Sequence, residues 1–531
     1  MIKKLFKNEF LWLTIIISLA TFLRLFQLTE IPPGLTGDEA WTGLDALEIL
    51  KNGYIGPYIP VHAWGQMAGY LYYQAFIFKI FQVSFFTLRL SAAVIGILTI
   101  FVFYFLSKNF FNKKTSLLIT FLFSISHWHL HFSHMAFFLI AVPLFSISSF
   151  YFLIKGFKDK KIIFFILGGI FLGLGLNTYF SFAFSVLAIL FFIVYKICQI
   201  FKKQKIDKKI SLGLLVFILS AFIVFLPLGN YILKNHDTFF GRNILTSPFI
   251  GNNRQELEMK YGQISNFKIV FLNAKNTLLM FHYQGDKSAI DNLPDQPMLD
   301  KITGVLMLIG LFLVIKNIRK EKQFLIFFWF LMALTAGFLT AGAPNGRRTI
   351  DALPAIFLFT GFGIEAVKLF IKKLKLKRKF KKITFIILFL FLIIFTFWEN
   401  FNIFFIKYPK ENSAKFWFAH NQVKMCEYLN SKYPNHYVYF FSDFWSWNYE
   451  TRRFLCPNIE GQNALKTFTD FSSSQKEELK LTKKDSKIIY IILPPYKEYS
   501  TNFKNLYNGY WEEVRDENGK LIFRSFLKND K

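Results

Sequence analysis

The chain has 531 residues, of which 53% are hydrophobic and 20% aromatic, with 71 Phe. That is too apolar for a soluble protein of this length, and it points to a polytopic membrane protein. The formal net charge of +29, from 63 Lys and Arg against 34 Asp and Glu, does not signal nucleic-acid binding, because the positive residues cluster between hydrophobic segments and report topology there.

The first hydrophobic span, 10–28, follows Lys3, Lys4 and Lys7 and runs on without a small-residue cleavage site, so it reads as an uncleaved first helix. Behind it lies TEIPPGLTGDEAWTGLDALEILKNG, 29–53. Pro32, Pro33 and Gly34 end the span, and Thr36 with Glu39 has the spacing of a capping box, which predicts a short helix ending at Gly53. Such a helix carries Ala40, Trp41, Leu44, Leu47 and Leu50 on one side and Asp38, Thr42 and Asp45 on another, the pattern of a helix lying in a membrane interface. Its first turn holds Asp38 and Glu39, which serve either as cap and dipole partner or as catalytic carboxylates. A second interfacial helix, packed beside the first, is expected at 69–82, GYLYYQAFIFKIFQ, which is too short and too broken to span.

Further spans are expected at 87–107, 114–131, 134–154, 162–178, 181–200, 211–233, 302–316, 323–341, 350–371 and 383–405, about eleven in all at roughly 20 residues per crossing. With the N-terminus cytoplasmic, the clusters Lys108, Lys113 and Lys114, Lys155 to Lys161, Lys202 to Lys209, Lys316 to Lys322 and KKLKLKRKFKK at 372–382 all fall inside. The loops 127–134 and 178–181, expected outside, carry no Lys or Arg, in agreement with the positive-inside rule. Three large pieces then lie on the outer side: 29–86, 234–301 and 406–531. The middle one, with GRNILTSPFIGNNRQ and DKSAIDNLPDQP, has the Gly, Asn and Pro content of long ordered loops.

After Phe405 the spans stop. HYVYFFSDF at 436–444 and SKIIYIILPP at 486–495 read as strands separated by a helical stretch through Glu477, Glu478 and Leu479, and DENGKLIFRSF reads as a turn leading into an edge strand. The expected fold is an all-α polytopic membrane domain, 1–405, followed by a small extracytoplasmic α/β domain, 406–531. Cys426 and Cys456 share that last region and can pair if it is exported, although the sequence gives no distance between them.

Several polar groups sit where spans end. Arg347 and Arg348 are the basic residues of the 341–349 loop, suited either to gripping a phosphate with paired donors or to snorkelling. Arg24 and Arg89 stand near membrane boundaries and either serve a site, pair with an acid or anchor a helix. Asn177 and Tyr179, at an outer helix end, can hydrogen-bond a sugar or phosphate, or simply cap and belt. The run HWHLHFSH at 127–134 puts His127 and His131 on one helical face, but no acidic or cysteine ligand adjoins it; aromatic packing is the expectation, with no metal.

Taken in order, these features resemble the GT-C membrane glycosyltransferases, in particular the protein O-mannosyltransferases, the lipid A aminoarabinose transferases and their bacterial relatives. The residues that carry the likeness are Arg24-Leu25, GDEAWTGLDALEILKNG, Trp64 with LYYQAFIFKIF, Thr87-Leu88-Arg89-Leu90-Ser91, GGIFLGLGLNTYFS at 168–181, and Arg347-Arg348 with Asp351 and Pro354 in GRRTIDALPAIFLFTG. Two departures stand out: His62 to Met67 replaces a Lys-Pro pair of the aminoarabinose type, and Ser133-His134 stands where many relatives have Ser-Arg. The resemblance implies a multi-pass plasma-membrane enzyme with a polyprenyl-phosphate sugar donor, a glycan, lipid or protein acceptor, and no cofactor. It assigns the general base to Asp38, with Glu39 in support.

Sugar transfer from a phosphate to a hydroxyl needs a single base, because a phosphate whose charge is stabilised leaves without strong acid help. A transporter or flippase would also show many spans, but with ionisable groups at the midplane and two similar halves. Here the charges lie at the outer ends and the halves do not repeat.

Overall fold

The computed structural model describes residues 8–60, 65–202, 207–375, 377–464, 487–494, 509–517 and 519–528. Trp64, Lys3, Lys4, Lys7, Lys203, Lys205 and the helical stretch expected at Glu477 to Leu479 lie outside these. The chain divides into two compact units, Met1–Pro32 with Ala46–Glu411, and Pro33–Asp45 with Asn412–Lys531. The segment carrying Asp38 and Glu39 therefore belongs to the same unit as the C-terminal region.

The first unit is helical. It opens with α1, Glu9–Leu25, and the helix α2, Gly37–Asn52, enters it at Ala46. The hairpin of β1, Tyr58–Ile59, and β2, Gln66–Met67, follows. Next comes α3, Gly69–Phe81, which at 1.5 Å per residue is too short to cross a bilayer. Its hydrogen bonds tie it to the next span, α4, Phe85–Ser107, where Tyr70 pairs with Ser91 Oγ at 2.7 Å and Gln74 donates to the Leu88 carbonyl, and to the segment after α2, where Tyr72 donates to the Gly56 carbonyl.

The later helices are α5, Lys113–Ile125, α6, His127–Ser133, α7, Ala141–Asp159, α8, Ile162–Leu176, α9, Phe182–Lys202, and α10, Lys208–Lys234. Among the described residues, seven helices are long and apolar enough to cross a membrane. Each of the eleven expected spans falls on helix, but α1, α5, α8 and the later Lys301–Lys316 are shorter. The span expected at 114–131 breaks at Ser126, because the His127 N–H leaves the helical ladder and donates to Asn400 Oδ1 at 2.8 Å. Small residues allow α8 and α10 to touch: a Cβ on Gly173 would lie 2.7 Å from the Ala221 carbonyl, the close approach that glycine permits between membrane helices.

The 234–301 piece corrects the expectation of long loops. It holds three helices, α11, His236–Thr246, α12, Gly251–Tyr261, and α13, Asn266–Leu279. Its glycines and polar residues punctuate these helices: Gly262, at φ +72°, ends α12, and Ser265 caps α13 by accepting the Lys268 N–H. Only 280–300 is irregular. Beyond it run α14, Lys301–Lys316, α15, Glu321–Phe338, α16, Ala352–Lys373, and α17, Arg378–Phe401.

The second unit is an α/β domain. Its helices are α18, Asn412–Trp417, α19, His420–Lys432, and α20, Glu450–Leu455. The strands β3, Tyr437–Phe441, β4, Gly461–Asn463, β5, Ile488–Ile492, β6, Gly509–Arg515, and β7, Leu521–Lys528, form one sheet in the order β4-β3-β5-β7-β6. β3 is parallel to β4 and β5, whereas β7 runs antiparallel to both β5 and β6. The strand expected at the edge, DENGKLIFRSF, is thus an interior one, with Phe523 and Phe526 fully buried, and GYWEEVR is the edge. Val438, Phe440, Ile489 and Ile491 turn one sheet face onto Met425, Cys426 and Leu429 of α19, the alternation that a half-covered strand requires. Cys426 and Cys456 form a disulfide.

Candidate active site

The loop before α16 carries Arg347 and Arg348, and side chains of 280–300 decide its shape. Asp291, itself buried, accepts from Arg347 through both Nε and Nη2 at 2.8 Å. The same guanidinium lies 4.8 Å over the ring of Phe137. Asp286 Oδ2 takes the Gly346 N–H at 2.8 Å, and its Oδ1 takes the Ser288 N–H. Burial, and then the neighbouring Asp291 charge, push the Asp286 carboxyl up to about 7. The histidine run finds its work here: His131 Nε2 donates to the Ile290 carbonyl at 2.6 Å, while Tyr408 donates to that of Ala289. Both brace the aspartate loop from below.

Asp286, Ser288, Asp291 and Arg347 line a cavity of about 500 Å³ together with Tyr179, Lys287, Asn345 and Arg348. Arg348 commits Nη1 to the Ala341 carbonyl at 2.6 Å, and its backbone N–H is held by Asn345 Oδ1. Tyr179 and Arg348 also line a second cavity, of about 560 Å³, whose wall is mostly apolar and includes Phe180, Phe184, Phe225, Leu228 and Phe239, with Ser181, Thr246, Ser247 and Thr340 as its hydroxyl residues. A polar chamber and a greasy one thus meet at one phenol and one guanidinium.

The other arginines stand elsewhere. Arg24 is fully buried and bonds the carbonyls of Ala20 and Ser124 and His129 Nδ1. Arg89, equally buried, bonds the carbonyls of Leu28 and Pro32 and lies over Phe85. Neither lines these two cavities; Arg89 satisfies carbonyls beyond the end of α1, whereas Arg24 bonds one carbonyl within α1 and one near the end of α5. Asn177 caps α8 and donates to the carbonyls of Gly173 and Val224, joining two helices; of Asn177 and Tyr179, only Tyr179 lines the two cavities.

In the second unit, Thr36 and Glu39 form the expected capping box: the Glu39 N–H donates to Thr36 Oγ1, and the Glu39 carboxylate accepts from the Thr36 N–H. The orientation of α2 corrects the amphipathic reading. Glu39, Thr42 and Asp45 are buried together with Ala40, Ala46 and Ile49, while Leu50 is exposed, because the capping box and the Thr42 hydroxyl bond to the Glu39 carbonyl satisfy polar groups inward. Asp38 is half-buried. Gly37 presses on Tyr449, where a Cβ would come 2.6 Å from the hydroxyl. Burial, then the charges of Glu450 and Asp38, push the Tyr449 phenol up to about 12, so at neutral pH it is a donor facing acids. Arg453 lies 5.1 Å over Trp41, and Thr451 donates to the Leu35 carbonyl.

Sequence reasoning missed Asp286, Asp291 and Tyr449. The first two stood in DKSAIDNLPDQP, where acids spaced by five in a loop gave a faint signal; Tyr449 gave none.

Residues 67–228 match the family described as dolichyl-phosphate-mannose-protein mannosyltransferase. Among solved structures, the chain is similar to ArnT from Cupriavidus metallidurans bound to undecaprenyl phosphate, at TM-score 0.56 and 11% identity over 97% of each chain. The apo form of that protein gives 0.54 and 10%, again over 97% of each. The chain has the GT-C fold. The oligosaccharyltransferase AglB from Archaeoglobus fulgidus is also similar, at 0.49 and 12% identity, over 96% of this chain and 74% of that one. No curated protein matches it in sequence. The GT-C fold and the family match together indicate a glycosyltransferase embedded in the membrane, as the sequence resemblance implied.

Proposed function

We propose that this chain transfers a sugar from a polyprenyl-phosphate donor to a hydroxyl of a glycan, lipid or protein acceptor at the outer face of the membrane, with inversion. The observation that carries this reading is the meeting of the polar and apolar cavities at Tyr179 and Arg348. An amphipathic donor needs such a junction: isoprenoid in the apolar chamber, phosphate at the guanidinium, sugar in the polar chamber. The undecaprenyl phosphate of the similar ArnT structure supports the same chemistry.

In this reading the acceptor oxygen attacks the anomeric carbon as its proton passes to a carboxylate base, the role that the sequence resemblance gives to Asp38. The bond from that carbon to the phosphate oxygen breaks, and polyprenyl phosphate leaves with the electron pair. Arg348 binds the departing charge, with Arg347 held beside it by Asp291. Glu39 shapes the first turn of α2.

The basic clusters support an inner N-terminus and about eleven crossings, the four shorter helices included. The Cys426–Cys456 disulfide supports an outer C-terminal domain, because disulfides persist in oxidising compartments. The test is transfer by purified chain in nanodiscs, offered a panel of polyprenyl-phosphate sugars with cell-envelope extract as acceptor. Release of polyprenyl phosphate together with new glycosylated product is expected; donors left intact across the panel overturn the proposal.

A further inference from the structure

A third cavity, of about 210 Å³, lies wholly within the C-terminal part of the second unit, lined by Lys415, Phe416, His420, Trp445, Asp516 and Lys520 among others. Lys415 pairs with Asp516 at 3.4 Å, which leaves the Lys520 charge in excess, and among the described residues Lys520 Nζ has only a 3.5 Å contact with Asn412 Oδ1. His420 keeps its Nδ1 buried with no hydrogen-bond partner among the described residues. Burial, then Lys424 and Lys415, lower its basicity, so at neutral pH it is an uncharged group able to exchange a hydrogen bond. On the rim, Phe416 is exposed and packs on Trp445 and on Phe444, itself exposed, at centroid distances of 5.6 and 4.7 Å.

One aromatic face, hydrogen-bonding groups of both kinds and one surplus cation in a small cavity match a single sugar ring bearing an anionic group. The apolar face of a pyranose covers an aromatic ring, its hydroxyls take the side-chain donors and acceptors, and a carboxylate or phosphate meets the ammonium. A lipid surface fits less well, because the lining carries Asp516 and Asn421 beside its apolar residues. We propose that this cavity binds an anionic sugar unit of a glycan, either a uronate or a sugar phosphate. That the glycan is the acceptor rests on the transferase reading above; the binding does not.

The test is ligand-observed NMR on the full chain in nanodiscs, with methyl glucuronide, glucose 6-phosphate, methyl glucoside and inorganic phosphate as probes. Binding of one or both anionic sugars about tenfold or more tighter than methyl glucoside and inorganic phosphate is expected, and which one binds identifies the source of the charge. Lys520→Gln should abolish the preference over methyl glucoside and Phe416→Ala the preference over inorganic phosphate, and Lys520→Arg should keep both. Equal binding of all four probes, binding of inorganic phosphate alone, or a preference untouched by both substitutions overturns the proposal. So does a loss of association with anionic-lipid vesicles by Phe416→Ala with sugar preference intact, which would make the rim a membrane contact. Because the comparison among probes uses the unaltered chain, it stands even where a variant fails to fold.

Discussion

Asp291 holds Arg347 through two nitrogens on one carboxylate oxygen, in an irregular loop braced by His131 of α6. The arginine is therefore neutralised and aimed before any substrate arrives, whereas its neighbour Arg348 uses one nitrogen on a carbonyl and faces both cavities. The two adjacent guanidinium groups thus have different tasks.

Arg348→Lys should weaken donor affinity by about tenfold or more, because a point charge replaces a planar fork at a phosphate. Arg347→Lys should disturb donor binding less and act mainly by loosening Asp291. Donor titration in nanodiscs checks both; equal affinity in wild type and both variants removes the pair from the site.

Asp291→Asn should destabilise the chain by about 3 kcal/mol, since it leaves a partly buried guanidinium without its counter-charge. Thermal unfolding in detergent reads this directly, and an unchanged midpoint would deny the pair a structural role.

Asp38→Asn should reduce sugar transfer by about 10²–10⁴ with donor affinity retained, the loss typical of a removed base. Glu39→Gln should cost about 0.5–2 kcal/mol of stability through the cap and leave more activity. Single-turnover rates and melting curves separate the two; an active Asp38→Asn enzyme moves the base to another group.

Asp286 gives a pH signature. Its folded-state pKa is raised to about 7 by burial and by Asp291, so the unfolded chain releases this proton earlier, and stability falls as pH rises from about 4 through 7. Ionisation also adds a negative charge to the chamber meant for a phosphorylated donor. Donor affinity should therefore drop between pH 6 and pH 8 in the wild type and stay nearly flat in Asp286→Asn; parallel profiles would exclude Asp286 as the titrating group.

Topology is open to a direct check. Cysteines placed at Gly53 and Glu517, in a background without Cys198, should react with a membrane-impermeant maleimide in intact cells, and labelling only after lysis would place both inside.

Hydrophobic runs, basic clusters and the Thr36–Glu39 spacing could be read from the chain, because each depends on neighbours within a turn or two or on the bilayer as solvent. The helical membrane part, the capped acidic helix and the α/β character of the C-terminal region followed from them. Which face of α2 is buried did not follow, because a local count of apolar residues takes no account of polar groups satisfied inward. The three helices of 236–279 were hidden for a related reason: Gly and Asn mark helix ends as well as loops, and only the partners of those ends tell the two apart. Likewise β7 gained its interior place from pairing with both β5 and β6, a relation across dozens of residues. The arginines illustrate the same division. Sequence alone set Arg24, Arg89, Arg347 and Arg348 side by side as ionisable groups at membrane boundaries; tertiary structure gave the first two to backbone carbonyls, the third to Asp291 and the last to the junction of two cavities. Composition selects the solvent that each segment prefers, whereas hydrogen-bond satisfaction between distant segments decides what each polar side chain is left able to do.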